Sequence, residues 1–148
     1  MKKIEIVKYP DERLLQKSIE CDSIPDEKLL DQMFASLKSW YVGLAAPQIG
    51  INKRFFIMKY PIGSDNWKRL VVVNPKILRK SKKLEVSEEG CLSINCGERS
   101  YEIARHEKIT VSFTDENNKE HFLTLKDFPA RIFQHEFDHL EGVLINNK

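Results

Sequence analysis

The sequence predicts a mixed α+β fold. Three observations carry that expectation: a helical run in the first third, several short strand-like runs through the middle, and a second helical run near the end. Ser23 precedes Ile24-Pro25 and forms a capping-box-like pair with Asp26. Leu30, Met33, Phe34, Leu37 and Tyr41 then recur at helical spacing, so a helix starting near Ile24 is expected to pack on a sheet. Arg54–Met58, Leu70–Val73 and Ile77–Leu78 read as strands, each bounded by Gly, Pro, Asn or charged residues. Alternation is clearest at Ile109, Val111 and Phe113; a polar turn from Asp115 to Lys119 and a return strand from His121 to Leu125 complete a hairpin. Asp127 is placed to cap a last helix that tolerates Pro129 in its first turn and runs to about Leu140.

The chain has 148 residues, 41% of them hydrophobic, enough for one core and too few for two, so a single domain over 1–148 is expected. Its 24 basic and 22 acidic side chains leave a formal charge of +2, which gives no field drawing it to DNA or anionic lipid. The N-terminal Met-Lys-Lys-Ile-Glu-Ile-Val-Lys has charges inside its apolar run, unlike a signal peptide, and no later stretch has membrane-spanning length. A cytoplasmic location is the expectation. Three cysteines without a secretory signal argue for free thiols or a metal ligand rather than a disulfide framework.

The chemistry is concentrated in His135-Glu136-Phe137-Asp138-His139. On a helix, residues four apart lie one turn above each other, so both imidazoles can reach one metal ion. Glu136, on an adjacent part of the surface, can take a proton from water at that metal without itself coordinating it. Two histidines still need a third ligand. The metalloprotease extension H-E-x-x-H-x-x-G-x-x-H fails here, because Gly142 fits but Ile145 stands where the last histidine belongs. Downstream of His139 the one acid is Glu141, two residues on and on another face. The ligand must therefore come from upstream, where Glu89-Gly90-Cys91-Leu92-Ser93 offers a thiolate. Cys plus two His with a fourth position for solvent makes an open catalytic site. A small buried hydrophobe is the competing reading of Cys91, and Cys96 competes for the ligand role. Cys21 precedes the first helix and reads, like Cys96, as a free thiol.

Three segments together resemble peptide deformylase: Tyr41-Val42-Gly43-Leu44-Ala45-Ala46-Pro47-Gln48, then Glu89 to Ser93, then His135 to His139, with Tyr9-Pro10-Asp11 extending the likeness. The family patterns are G-x-G-x-A-A-x-Q, E-G-C-L-S and H-E-x-D-H, in this order. The resemblance implies strands and hairpins around a central H-E-x-x-H helix, and removal of the N-formyl group from the formyl-methionine of nascent proteins, with release of formate. It implies one divalent ion held by Cys91, His135 and His139, with Fe2+ native and Zn2+, Ni2+ or Co2+ able to replace it. Glu136 becomes the general acid and base, and the Gln48 amide and Leu92 N–H the donors to the oxyanion. Gly43 would pair with the substrate peptide, Gly90 would flank it, and Val42 and Ile132 would line the methionine pocket. Glu89 and Arg105 are candidates for an ion pair beside the ligands, whereas His106 and His121 read as ordinary strand or surface residues.

The implied partners are N-formylmethionyl peptides and nascent chains at the ribosome, with the enzyme a monomer that binds neither DNA nor membrane. Two departures stand out. Tyr41 occupies the place of the first glycine of the opening motif. The long C-terminal helix common in the family is not expected, since the sequence ends at Leu144-Ile145-Asn146-Asn147-Lys148, as in versions carried by some bacteriophages. The rival readings are a general zinc endopeptidase and a non-catalytic binding protein, the second of which has no need of Glu136.

Overall fold

A computed structural model describes residues 4–38 and 41–148; Met1–Lys3 of the charged N-terminus lie outside the described residues. The architecture is α+β, with two helices and seven strands among the described residues. Helix α1 spans Glu27–Ala35 and α2 spans Phe128–Leu140. The strands are β1 Gly43–Ala45, β2 Phe55–Pro61, β3 Trp67–Lys80, β4 Leu84–Glu89, β5 Tyr101–His106, β6 Lys108–Thr114 and β7 Glu120–Lys126. Five strands form one antiparallel sheet in the order β1-β2-β3-β6-β7, and β4 pairs with β5 in a separate two-stranded ribbon.

Both faces of the large sheet are covered, which explains why β2 reads as a continuous apolar run instead of alternating. On one face Phe56, Met58, Val72 and Val111 meet Ala130, Ile132, Phe133 and Leu140 of α2, with the Phe56 and Phe133 rings edge to face at 5.1 Å. On the other, Phe55, Ile57, Val71 and Val73 meet Leu30 and Met33 of α1, with Leu37 just beyond it. The H-E-x-x-H helix is thus seated on the sheet by its apolar face, with its polar face turned to the ribbon.

Several sequence expectations are corrected. Helix α1 begins three residues later than Ile24, its N-cap is Asp26 without a side-chain cap bond, and it stops at Ala35. Tyr41 therefore does not continue its apolar stripe. The expected strands at Leu70–Val73 and Ile77–Leu78 are one bent strand, β3. The register shifts twice between Val73 and Arg79, and Asn74 takes a left-handed φ of 51°. Its side chain accepts from Cys21 N–H at 2.8 Å and donates to Cys21 C=O at 3.0 Å, fastening the bend to the N-terminal segment. Asp127 precedes α2 as expected, but with φ of 58° and no side-chain cap bond. Strands β1, β4 and β5 escaped the sequence reading because β1 has three residues and the ribbon is polar and largely exposed.

The ribbon is held to α2 by charge. Arg105 of β5 donates to both oxygens of Glu89 on β4, at 2.6 and 2.8 Å, and to Asp138 of α2 at 2.8 Å. Arg131 of α2 reaches the same Glu89 and also donates to the Ile103 and Glu85 carbonyls at 3.1 and 2.6 Å. Arg105 and Glu89 are both buried. Burial opposes the charge on Glu89, yet hydrogen bonds from His135 and Arg105 outweigh it and hold its carboxyl well below the usual range. A depressed folded pKa means that this stabilisation is complete above the unfolded value of about 4.3 and drains away as pH falls through the folded value. Removing the charge leaves two guanidinium groups short of their anion. Glu89→Gln is expected to lower unfolding stability at pH 7 by about 3 kcal/mol, with the gap to the unaltered protein closing in strong acid. Urea titrations from pH 7 downward would show this, and a gap that did not depend on pH would contradict it.

Candidate active site

The first motif folds as the short edge strand β1 running into a turn of 3-10 helix, Ala46–Ile49. Strand β1 pairs with β2 on one side and ends the sheet on the other. The turn directs Gln48 inward, where its Oε1 accepts from Ala45 N–H at 2.9 Å. That bond fixes which end of the amide faces the site: Nε2 lies 3.2 Å from Ser93 Oγ and 3.6 Å from Cys91 Sγ. Pro47, in the first turn of the 3-10 helix, holds the chain in the required φ.

The second motif leaves β4 at Glu89 and brings Cys91 beneath α2. The third lies on α2 itself, where the four-residue spacing sets the His135 and His139 rings 5.2 Å apart. Cys91 Sγ and a nitrogen from each imidazole fall within 4.8 Å of one another, and Sγ lies 3.4 Å from His139 Nε2. Two donors on one tetrahedral ion, at ordinary sulfur and nitrogen bond lengths, sit about 3.6 Å apart, so this separation fits a shared metal. His135 Nδ1 contacts Glu89 Oε1 at 2.8 Å, which leaves Nε2 as the nitrogen turned to the site.

The electrostatics point the same way. Burial opposes the imidazolium of His135, but the Cys91 sulfur and the Glu89 and Glu136 carboxylates outweigh it and raise its pKa to about 10. His139, enclosed and repelled by His135, is pushed well below its usual value. The acidic groups around His135 make this a site that favours a cation. Burial raises Glu136 to about 7, partly offset by the charges of His135 and Arg105. Glu136 Oε1 and His139 Nδ1 are buried polar atoms without a hydrogen-bond partner among the described residues. An unmatched carboxylate oxygen in a cleft is poised for a proton or a solvent molecule.

A cleft of about 230 Å³ opens over these groups, lined by Val42, Gly43, Gln48, Gly90, Cys91, Leu92, Ile132, His135 and Glu136, all anticipated from sequence. His139 is buried and does not line the cleft, but its Nε2 touches Cys91 Sγ, which does. Gly43 faces Glu136 so closely that a Cβ would overlap the carboxylate, which is why glycine occupies this position. The expected Glu89–Arg105 pair is present, buried and not solvated. Cys96 is exposed and Cys21 half-buried, both free, and Glu141 is directed away to Arg54 at 2.8 Å. His106 and His121 take up strand positions and pair with the Ser81 carbonyl and Asp115. Three contributors went unread: Ser93 beside Gln48, the Tyr41 ring on the cleft wall, and Arg131. Of these Arg131 carried a signal, since it lies four residues before His135 on the same helix face.

Residues 3–148 match the family described as polypeptide deformylase. A peptide deformylase from Wolbachia sp. subsp. Brugia malayi (strain TRS) is 39% identical, over 97% of this chain and 86% of its own length. The crystal structure of a probable peptide deformylase from Synechococcus phage S-SSM7 superposes with a TM-score of 0.87 at 37% identity, covering 97% of this chain and 98% of that one. The Met-Ala-Ser-bound structure of a class I type b enzyme from Acinetobacter baumannii gives 0.88 at 30% identity, covering 98% and 97%. With motif order, ligand cluster, cleft and whole-chain likeness in agreement, the chain belongs to the polypeptide deformylase family, enzymes that hydrolyse the N-formyl group of nascent proteins.

Proposed function

We propose that residues 1–148 form a single catalytic domain in which Cys91, His135 and His139 hold one divalent ion, Fe2+ in the native enzyme, with Zn2+, Ni2+ or Co2+ as substitutes. The observation that supports this most strongly is the convergence of one sulfur and two imidazole nitrogens beneath the unpartnered carboxylate of Glu136. When bound, such an ion supplies Lewis acidity, making water acidic near neutral pH and polarising the formyl carbonyl. Glu136 removes the proton from the attacking water and later delivers it to the leaving amine of methionine. Its unpartnered oxygen suits both halves of that task, since no neighbouring side chain competes for the proton among the described residues. The Gln48 Nε2 and the Leu92 N–H stabilise the negative charge on the former formyl oxygen. Gln48 is set in advance by Ala45 and Ser93, so no reorganisation is needed as the charge develops.

The substrate chain adds to the open edge of β1 at Gly43, with Gly90 on the opposite wall, and the methionine side chain enters between Val42 and Ile132. The substrate is an N-formylmethionyl peptide or a nascent chain at the ribosome, met in the cytoplasm by a monomeric enzyme. No described helix is long and apolar enough to cross a membrane.

Formate release from formyl-Met-Ala-Ser, run beside cleavage of a longer unformylated peptide, tests the reading; internal cleavage without formate would favour an endopeptidase. Glu136→Ala is expected to retain metal by elemental analysis and to lose about a thousandfold in kcat. Cys91→Ala is expected to lose the metal itself. Gly43→Ala should keep the fold by circular dichroism yet lose about a hundredfold in kcat/KM, because the new methyl displaces the base. Protein purified without oxygen should contain iron and lose activity in air; absence of iron would overturn the metal assignment, and stable activity with iron verified in place would overturn the expected oxygen sensitivity.

A further inference from the structure

The one residue of the first motif that departs from the family pattern also lines the cleft, and its hydrogen bonding shows that it is not a passive replacement. Tyr41 lies two positions before Gly43, beyond the start of β1, and its ring forms part of the cleft wall with Val42 and Gly43. Its hydroxyl donates to the Cys96 carbonyl at 3.0 Å, on the far side of the loop that follows Cys91. The ring packs so closely on Gly97 that a Cβ there would meet the phenol oxygen at 2.5 Å, and Gly97 has a φ of 80°. Cys96 and Asn95 are left-handed as well, at 53° and 49°. Three consecutive residues in this conformation shape the loop around the tyrosine. Tyr41 is a crossbar between the two loops that flank the cleft.

Its position along the substrate follows from the geometry of the edge strand. The reacting carbonyl must lie over Glu136, opposite Gly43. Toward Gln48 the path is closed by the buried turn Ala46–Ile49, so the peptide leaves in the other direction, along Val42 to Tyr41. Two strand residues advance about 7 Å, which brings the residue after methionine level with the phenol ring. Glycine at position 41 would leave that space open.

We propose that Tyr41 is a specificity-determining residue that selects for a small second residue after formyl-methionine. The selection rests on the deformylase reading and refines it. A ring fixed at both ends cannot swing away from a large side chain as an untethered ring could. A small side chain passes beneath the ring and gains contact with its face. Discrimination appears mainly in KM, because the reacting atoms sit two residues from the crossbar.

The test compares formate release from formyl-Met-Ala-Ser and formyl-Met-Trp-Ser by the metal-loaded chain. Unaltered protein should favour the alanine peptide, and Tyr41→Gly should raise the Trp-to-Ala ratio of kcat/KM by about tenfold. Tyr41→Phe, which keeps the ring and loses only the bond to Cys96, should raise it by about threefold, chiefly through KM, and serves if the glycine variant folds poorly. A ratio unchanged in the phenylalanine variant, or equal acceleration of both peptides in the glycine variant, would overturn the assignment. Absence of formate from both peptides with unaltered protein would overturn the underlying activity as well, whereas activity with an unchanged ratio removes the role of Tyr41 alone.

Discussion

The carboxylate of Glu89 is shared by three partners from two elements: Arg105 of β5, Arg131 of α2 and His135 on the next turn of α2. The rest of the site depends on that sharing. Neither the ribbon nor the helix has enough apolar surface facing the other to dock by burial; β4 is largely exposed and contributes few core residues. Two guanidinium groups on one buried carboxylate provide the attachment instead. An isolated buried charge would cost several kcal/mol, so this network is viable only when complete. Its completeness fixes the distance from β4 to α2, and Cys91 follows Glu89 by two residues. The same carboxylate that docks the ribbon therefore places the sulfur against the imidazoles and sets the orientation of one of them.

Two carboxylates close together carry opposite perturbations for opposite purposes. Glu89 has cationic partners on every side and remains charged. Glu136, with one oxygen unpartnered and its strand-side neighbour a glycine, is held by burial near the pH at which a proton moves easily. Had Arg131 or Arg105 reached Glu136 in place of Glu89, the base would be stabilised as an anion and lose basicity. The segregation is geometric: His135 faces Glu89 with Nδ1, and Glu136, one residue along the helix, projects to the edge of β1.

The site was more legible in the sequence than the fold around it, for a physical reason. His135, Glu136 and His139 carry their geometry in their spacing, since a helix converts a four-residue interval into a shared face. The fold signals were weaker where strands serve the site and not the core. Strand β1 is three residues long because Ala46-Pro47 must turn at once to aim Gln48. The ribbon strands alternate only briefly, at Leu84 and Val86 and at Tyr101 and Ile103; Leu84 and Val86 are exposed, and the inward positions of Glu89 and Arg105 are charged, so the pattern is not that of a core strand. Strand β3 appeared as two runs because Asn74-Pro75 looks like a stop; the Asn74 side chain compensates by bonding to both polar groups of the Cys21 backbone. The apolar Tyr41 fitted a helical stripe by number alone, yet the helix had ended at Ala35.

The edge of β1 has to stay open for a peptide, and an open edge next to an apolar pocket is also a place where other chains can pair. This chain answers that hazard with brevity and with bulk. Three residues offer too few hydrogen bonds to hold an unrelated strand, so on the proposed reading stable pairing requires the additional anchors of the pocket between Val42 and Ile132 and the Gln48 amide. At its Gln48 end the edge runs into the buried turn Ala46–Ile49, so a strand laid along β1 has no path past that point. On the proposed reading, a short edge, one anchoring pocket and a closed end together admit a chain terminus and exclude the middle of a chain. That exclusion is what separates an enzyme acting on the first residue of a protein from an endopeptidase with the same H-E-x-x-H helix.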